Sequence, residues 1–147
     1  MNKTIFSTGK NDWETPQELF DLLDRDYRFT LDACATKTNA KCARFFSPEE
    51  DALTQDWGGE TVWCNPPYSA KQQDAFVKKC FEESRKPGTT VVALLPARTD
   101  TNRFHRYIYG RAEIRFVWGR ITFVGAENPA PFPSMIVTWR YKEATDT

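Results

Sequence analysis

The stretch TVWCNPPYSAKQQDAFVKKCFEESRKPGTTVVALLPA, residues 61–97, decides the fold. Residues 61–64 form an apolar run halted by Pro66 and Pro67, which cannot continue a sheet ladder, so they read as a strand with a fixed carboxyl end. KQQDAFVKKCFEESRK (71–86) carries a helical pattern through Ala75, Phe76, Cys80 and Glu83, and Pro87-Gly88 closes it. TTVVALLPA (89–97) is continuously apolar, which suits a strand covered on both faces. Strand, helix and strand in that order predict a parallel crossover unit.

Working outward, Thr15-Pro16 before QELFDLLDRDY predicts a helix, with Thr15 as its N-cap, Pro16 at its first position and Leu19, Phe20, Leu22 and Leu23 on its apolar side. FTLDACA (29–35) reads as a short buried strand ending at Asp32, and residues 36–60 as largely irregular. Toward the C-terminus, TDTNRFHRYIYG (99–110) predicts a helix ended by Gly110. AEIRFVWGRITFVG (112–125) predicts a hairpin or bulged strand pair around Gly119, and SMIVTWRY (134–141) a last strand. The whole reads as one domain, residues 1–147: an open, mostly parallel α/β sheet with a C-terminal antiparallel hairpin.

Composition narrows the chemistry. With 40 % hydrophobic residues and 14 % aromatics the 147-residue chain can bury a core. No apolar run is long enough to span a membrane, and the first residues lack a secretory signal, so an intracellular protein is expected. Twenty basic residues balance twenty acidic ones, but residues 1–60 hold 7 basic against 12 acidic and residues 61–147 hold 13 against 8. The basic half is either a local phosphate-facing surface or an ordinary mixed one. Cys34, Cys42, Cys64 and Cys80 form no C-x-x-C pair and His105 is the only histidine, so neither a zinc site nor a hydrolytic triad is expected. Cys34, Cys64 and Cys80 read as buried thiols.

Open α/β sheets bind ligands at the carboxyl ends of their strands. Asp32-Ala33-Cys34 and Asn65-Pro66-Pro67-Tyr68 both fall there. The prolines fix the backbone and remove two N–H donors, leaving carbonyl oxygens free to face a cleft. The Asn65 side chain adds an acceptor and Tyr68 a flat ring. Acceptors converging beside an aromatic plate suit a planar heterocycle that bears an amino group, such as adenine.

NPPY at 65–68 resembles the signature of amino-methyltransferases that use S-adenosyl-L-methionine, above all the DNA adenine-N6 methyltransferases. The blocks DWETPQELFDLLDRDYRFTLDACAT, FFSPEEDALTQDW, VWCNPPYS, LLPARTDT, IRFVWGRITF and APFPS, across roughly residues 11–138, are similar to those of the short phage and prophage group. That resemblance implies an abbreviated Rossmann-like methyltransferase sheet, S-adenosyl-L-methionine as cofactor, DNA as partner, no metal, and a place in the cytoplasm of a bacterial host cell. It implies methyl transfer to the N6 amine of a flipped-out adenine, with Asn65, Pro66, Pro67 and Tyr68 catalytic: Asn65 and the Pro66 carbonyl holding the amine hydrogens, Tyr68 stacking on the base. RNA or protein-glutamine methylation, and a silent nucleic-acid-binding relative, are the alternatives. A homodimer is one arrangement that would add DNA-contacting surface.

On the cofactor side the resemblance implies Trp13, Thr15 and Pro16 at the methionine end, Asp32, Ala33 and Cys34 in the cofactor loop, and Asp51 on the cofactor's adenine amine. Ala33, Cys34 and Ala35 stand where a glycine-rich turn is expected, and Asp51 is alternatively a solvated acid beside Glu49 and Glu50. Arg98 and Asp100 are candidates for the target nucleotide or its phosphates, or else pair with each other. Arg103 and Arg106, followed by Arg111, Arg115 and Arg120, are candidates for the DNA face or a solvated surface. His105 is expected to be structural, and Phe104, Tyr107, Phe116, Trp118 and Phe123 to be core.

Overall fold

The computed structural model describes residues 13–143; the first twelve residues, on which the expectation about a secretory signal falls, lie outside them, as do residues 144–147. In chain order the elements are α1 (Gln17–Tyr27), β1 (Leu31–Asp32), β2 (Thr61–Cys64), α2 (Ala70–Ser84), β3 (Thr90–Pro96), β4 (Glu113–Phe116) and β5 (Ser134–Arg140), with a 3₁₀ turn at Ala52–Thr54. The five strands form one open sheet in the order β1-β2-β3-β5-β4. β1, β2 and β3 pair in parallel, whereas β5 runs antiparallel between β3 and β4, so the sheet is mixed and only partly parallel.

The central unit follows its sequence. Ser69 caps α2, its hydroxyl accepting from the Gln72 N–H at 3.3 Å, and Gly88 turns the chain into β3 with φ +74°. β3 and β5 are buried along nearly their whole length. On one sheet face Val62, Cys64, Val91, Ala93, Leu95 and Val137 pack with Phe76, Val77 and Cys80 of α2. On the other, Trp63, Val92, Leu94 and Ile136 pack with Phe20 and Leu23 of α1 and with Ile121, Phe123 and Phe132.

Several expectations change. Pro16, not Thr15, is the N-cap of α1: its carbonyl accepts from the Leu19 and Phe20 N–H groups, and no side chain caps the helix. Leu22 is 54 % exposed, because the helix packs through Phe20 and Leu23. The helix expected over 99–110 is a single wide turn, Phe104–Ile108. The expected strand pair over 112–125 is β4 alone, which pairs with β5 instead. Beyond it, Ile121 and Phe123 are buried and Thr122 and Val124 exposed, so a two-residue alternation occurs in a loop that joins no ladder. Phe104 and Phe123 are core and Tyr107 packs against it, but Phe116 and Trp118 are 64 % and 100 % exposed.

Loop 36–60 is fixed by long-range bonds rather than by regular structure. Phe45 bridges to Asp32, and the Phe46 N–H donates to the Asp32 carbonyl at 3.0 Å. The buried Glu83 carboxylate on α2 accepts from the Trp57 N–H at 2.7 Å, from Lys86 at 2.7 Å and from Lys79 at 3.1 Å. The Trp57 indole N–H donates to the Ala52 carbonyl at 3.1 Å. These contacts hold residues 51–57 against α2 and so place one wall of the site.

Candidate active site at the carboxyl ends of β1 and β2

A cavity of about 460 Å³ opens where β1 and β2 end, a size within the range of small-molecule sites. It brings together Trp13, Thr15, Asp32, Ala33, Cys34, Asp51, Asn65, Pro66 and Pro67, residues up to 54 positions apart in sequence. Lys41, Phe46, Pro48, Trp63, Gln72 and Val124 also line it and carried no signal in the sequence. Val124 arrives because its N–H donates to the Glu14 carbonyl at 3.0 Å; Phe46 and Pro48 arrive through the bridge to Asp32.

Asn65 is oriented by its neighbours. Its Nδ2 donates to the Trp13 carbonyl and, at 3.0 Å, to the Thr15 hydroxyl. A main-chain carbonyl can only accept, which fixes which end of the amide faces it. The other end, Oδ1, is buried and has no partner among the described residues. Thr15, freed from the capping role expected of it, is buried beside this amide. Below, Gln73 on α2 donates Nε2 to the Pro67 carbonyl at 3.0 Å and ties the proline turn to the helix. Pro66 is buried against the cavity.

Asp32 is 2 % exposed and its carboxylate accepts from the Cys34 N–H at 3.2 Å and the Lys41 N–H at 2.9 Å. Burial pushes its carboxyl up to about 6, and those two bonds hold back a larger rise. Ala33, Cys34 and Ala35 give the adjoining wall a low profile. Asp51 has φ 54°, an uncommon left-handed conformation for a non-glycine residue, and accepts from the Leu53 N–H at 3.2 Å while lining the cavity.

Tyr68 lies behind the cavity wall rather than on it. Its ring is 5.4 Å from Phe132, 6.1 Å from Phe123 and 6.4 Å from Trp13, and Trp13 stands 5.4 Å and 5.5 Å from the same two phenylalanines. Its hydroxyl donates to the Leu94 carbonyl at 3.3 Å, and burial pushes the phenol upward, keeping it a donor. Arg98 is exposed and its guanidinium lies 5.6 Å over Phe132, with no ion pair to the exposed Asp100 among the described residues. Arg103 pairs with Asp74 of α2 at 2.8 Å; Arg106 is exposed on the wide turn, and neither lines the cavity.

Cys64 and Cys80 are fully buried and Cys34 half-buried, with Cys34 and Cys64 sulfurs 3.9 Å apart and no disulfide among the described residues. No group of potential metal ligands and no helix able to cross a membrane occurs among the described residues.

The chain is similar in sequence to known proteins. The chain is 37 % identical over 112 residues to a DNA N-6-adenine-methyltransferase of Escherichia phage T1, a match spanning 75 % of this chain but 46 % of that one. It is 35 % identical over 131 residues to a DNA N-6-adenine-methyltransferase of Haemophilus phage HP1, covering 85 % of this chain and 75 % of the relative. The sequence profile of one family spans residues 3–145, taking in every cavity residue named above, and on that match the chain belongs to the DNA N-6-adenine-methyltransferase (Dam) family.

Proposed function

We propose that this protein transfers a methyl group from S-adenosyl-L-methionine to the N6 amine of an adenine flipped out of duplex DNA. The observation that carries the reading is the Asn65 side chain: a cavity-lining residue whose amide has its donor end satisfied and its acceptor end buried and without a partner among the described residues. A buried acceptor without a donor costs roughly 1–3 kcal/mol. An incoming N–H recovers that cost, so the site favours a ligand bearing an amine.

The residues present fit the cofactor. Asp32 is a buried acid within reach of a cationic ligand, the low wall at Ala33–Ala35 admits close approach, and Asp51 offers a carboxylate at the rim. When bound, S-adenosyl-L-methionine supplies an electrophilic methyl on a sulfonium. In this reading Asn65 Oδ1 and the Pro66 carbonyl each accept one hydrogen of the adenine amine. The nitrogen lone pair, otherwise delocalised into the ring, is then directed out of the ring plane. Asn65 is already held by Trp13 and Thr15, so little reorganisation is needed when charge develops on the amine. Positioning supplies most of the acceleration.

The target atom is inaccessible in stacked duplex, hence the flipped base. In this reading Trp13, which lines the cavity, and Tyr68 packed behind it are the aromatic rings offered to the base, and Arg98 over Phe132 is a cation beside that cluster. Incubation with methyl-labelled S-adenosyl-L-methionine and duplex DNA, followed by nucleoside analysis, tests the reading: label in N6-methyladenine is expected. Label in another nucleoside, or none in DNA, would overturn it. Asn65→Ala is expected to cut transfer by about 10²–10³-fold, the cost of losing one preorganised charge-stabilising contact. Its thermal stabilisation by the cofactor should persist.

A further inference from the structure

Trp118 is the most exposed aromatic described, 100 % accessible, and Phe116 two residues before it is 64 % exposed. Their position follows from strand register. Phe116 pairs with Met135, which pairs with Leu95, and the Val117 N–H donates to the Ser134 carbonyl opposite Pro96. Cys64, the last residue of β2, pairs with Ala93. Trp118 therefore stands at the carboxyl edge of the sheet, the edge that carries the cavity, and somewhat beyond the level of Asn65. Three strand steps separate β2 from β4, about 15 Å along that edge at the usual spacing.

The segment that follows connects the two places. Gly119 takes φ +76°, reversing the chain directly after Trp118, and residues 121–132 then run back so that Phe123 and Phe132 pack on Trp13 and Val124 reaches the cavity. Arg115 and Arg120 flank the tryptophan in sequence and are exposed, and neither has an acidic partner among the described residues. One Arg120 nitrogen donates to the Ala130 carbonyl at 3.3 Å, which leaves its other donors to solvent. Glu127 is the only acid in residues 117–133. Arg98, also exposed, follows β3 on the same edge.

We propose that the tip formed by residues 115–120 is a second contact with duplex DNA, in which Trp118 stacks on a base of the distorted helix and Arg115 and Arg120 neutralise phosphates. A fully exposed indole offers a free flat face suited to stacking on a base, and its flanking cations match a polyanion. The span along the edge matches the reach of a duplex lying across the sheet's carboxyl end. This rests on DNA being the substrate.

The test measures binding of a fluorescein-labelled mixed-sequence duplex to the full chain and to Trp118→Ala, Trp118→Phe and Arg120→Ala. Trp118→Ala is expected to weaken binding by tenfold or so, in line with the stacking of one base, and Trp118→Phe much less. Arg120→Ala should lower the slope of log affinity against log salt by about one, whereas Trp118→Ala should leave it unchanged. Stabilisation by S-adenosyl-L-methionine should be the same in all. Unaltered affinity in Trp118→Ala, with wild type still methylating the duplex, overturns this proposal alone. A wild type that neither binds nor methylates duplex overturns the substrate reading with it. If sedimentation shows Trp118→Ala converting a dimer to a monomer of equal DNA affinity, the tip contacts a second copy and the proposal fails.

Discussion

The Thr15 hydroxyl accepts a hydrogen bond from Asn65 Nδ2 at 3.0 Å, across 50 residues of chain, and this contact ties a residue just outside the N-cap of α1 to the site. Together with the Trp13 carbonyl it uses up both donors of the amide, which is why the acceptor end alone remains for a ligand. A side chain whose obvious local use is helix capping anchors the Asn65 amide instead.

Thr15→Val keeps the shape and deletes that acceptor, leaving Asn65 with one anchor. The expected outcome is a fall in kcat of about tenfold, roughly 1.4 kcal/mol, with little change in cofactor affinity. Thr15→Ser retains the hydroxyl and should restore most of the rate. Single-turnover methyl transfer with saturating cofactor checks this. Equal rates for Val and Ser would show that Thr15 contributes packing alone.

Asp32 is expected to make stability, and on the proposed reading cofactor binding, depend on pH in the mildly acidic range. Its folded value, about 6, lies above the ordinary 3.8, so between those values the folded state binds more protons than the unfolded one. Its contribution to stability is greatest below about 3.8 and declines as pH rises to 6, by on the order of 3 kcal/mol. Binding of a cationic ligand runs the other way: it needs the ionised form and should weaken as pH falls through 6. Calorimetric titration with S-adenosyl-L-methionine between pH 5 and 8 checks this, with Asp32→Asn expected to bind weakly and without the inflection.

The unit from residue 61 to 97 was legible because its signals are local: β-branched and apolar runs, prolines that stop β2, the helical spacing of α2, and Pro87-Gly88 that closes it; the Ser69 cap of α2 is seen only in the structure. The same holds for Asp32 and Asn65, which strand ends deliver to one cavity. What local pattern could not give is pairing. Residues 120–124 alternate as a strand would, yet they leave the sheet after β4, and the alternation is spent on Ile121 and Phe123 entering the second core. β5 inserts antiparallel beside β3, an arrangement no short-range residue preference specifies. Tyr68 follows the turn as expected, but its ring is drawn back by Phe123 and Phe132, which lie more than 50 residues away.

Glu83 should prove the main support of the cavity's outer wall. Against the upward push of burial, hydrogen bonds from Lys86, the Trp57 N–H and Lys79 hold its carboxyl below the usual value. A folded value below the unfolded one means its stabilisation is present above pH 4.5 and is lost as pH falls further. Glu83→Ala leaves the Trp57 N–H without its acceptor and Lys79 with the Gln55 carbonyl alone, at a cost of about 3 kcal/mol. Urea unfolding at neutral pH measures it. Glu83→Gln keeps the acceptor for Trp57 and should lose less.

Tyr68 separates filling space from stacking. Tyr68→Phe removes only the hydroxyl bond to the Leu94 carbonyl, worth about 1 kcal/mol at 3.3 Å, and keeps the ring against Phe132, so transfer to DNA should stay near wild type. Tyr68→Ala opens a void among Trp13, Phe123 and Phe132 and is expected to cost about 3–5 kcal/mol in stability. Tyr68→Leu refills much of that void with a group that has no flat face. If the ring meets the flipped base, the leucine variant recovers stability but its affinity for duplex stays reduced several-fold or more, the loss expected of one stacking contact. Leucine and phenylalanine variants with the same DNA affinity and the same rate would show that this position serves the fold alone.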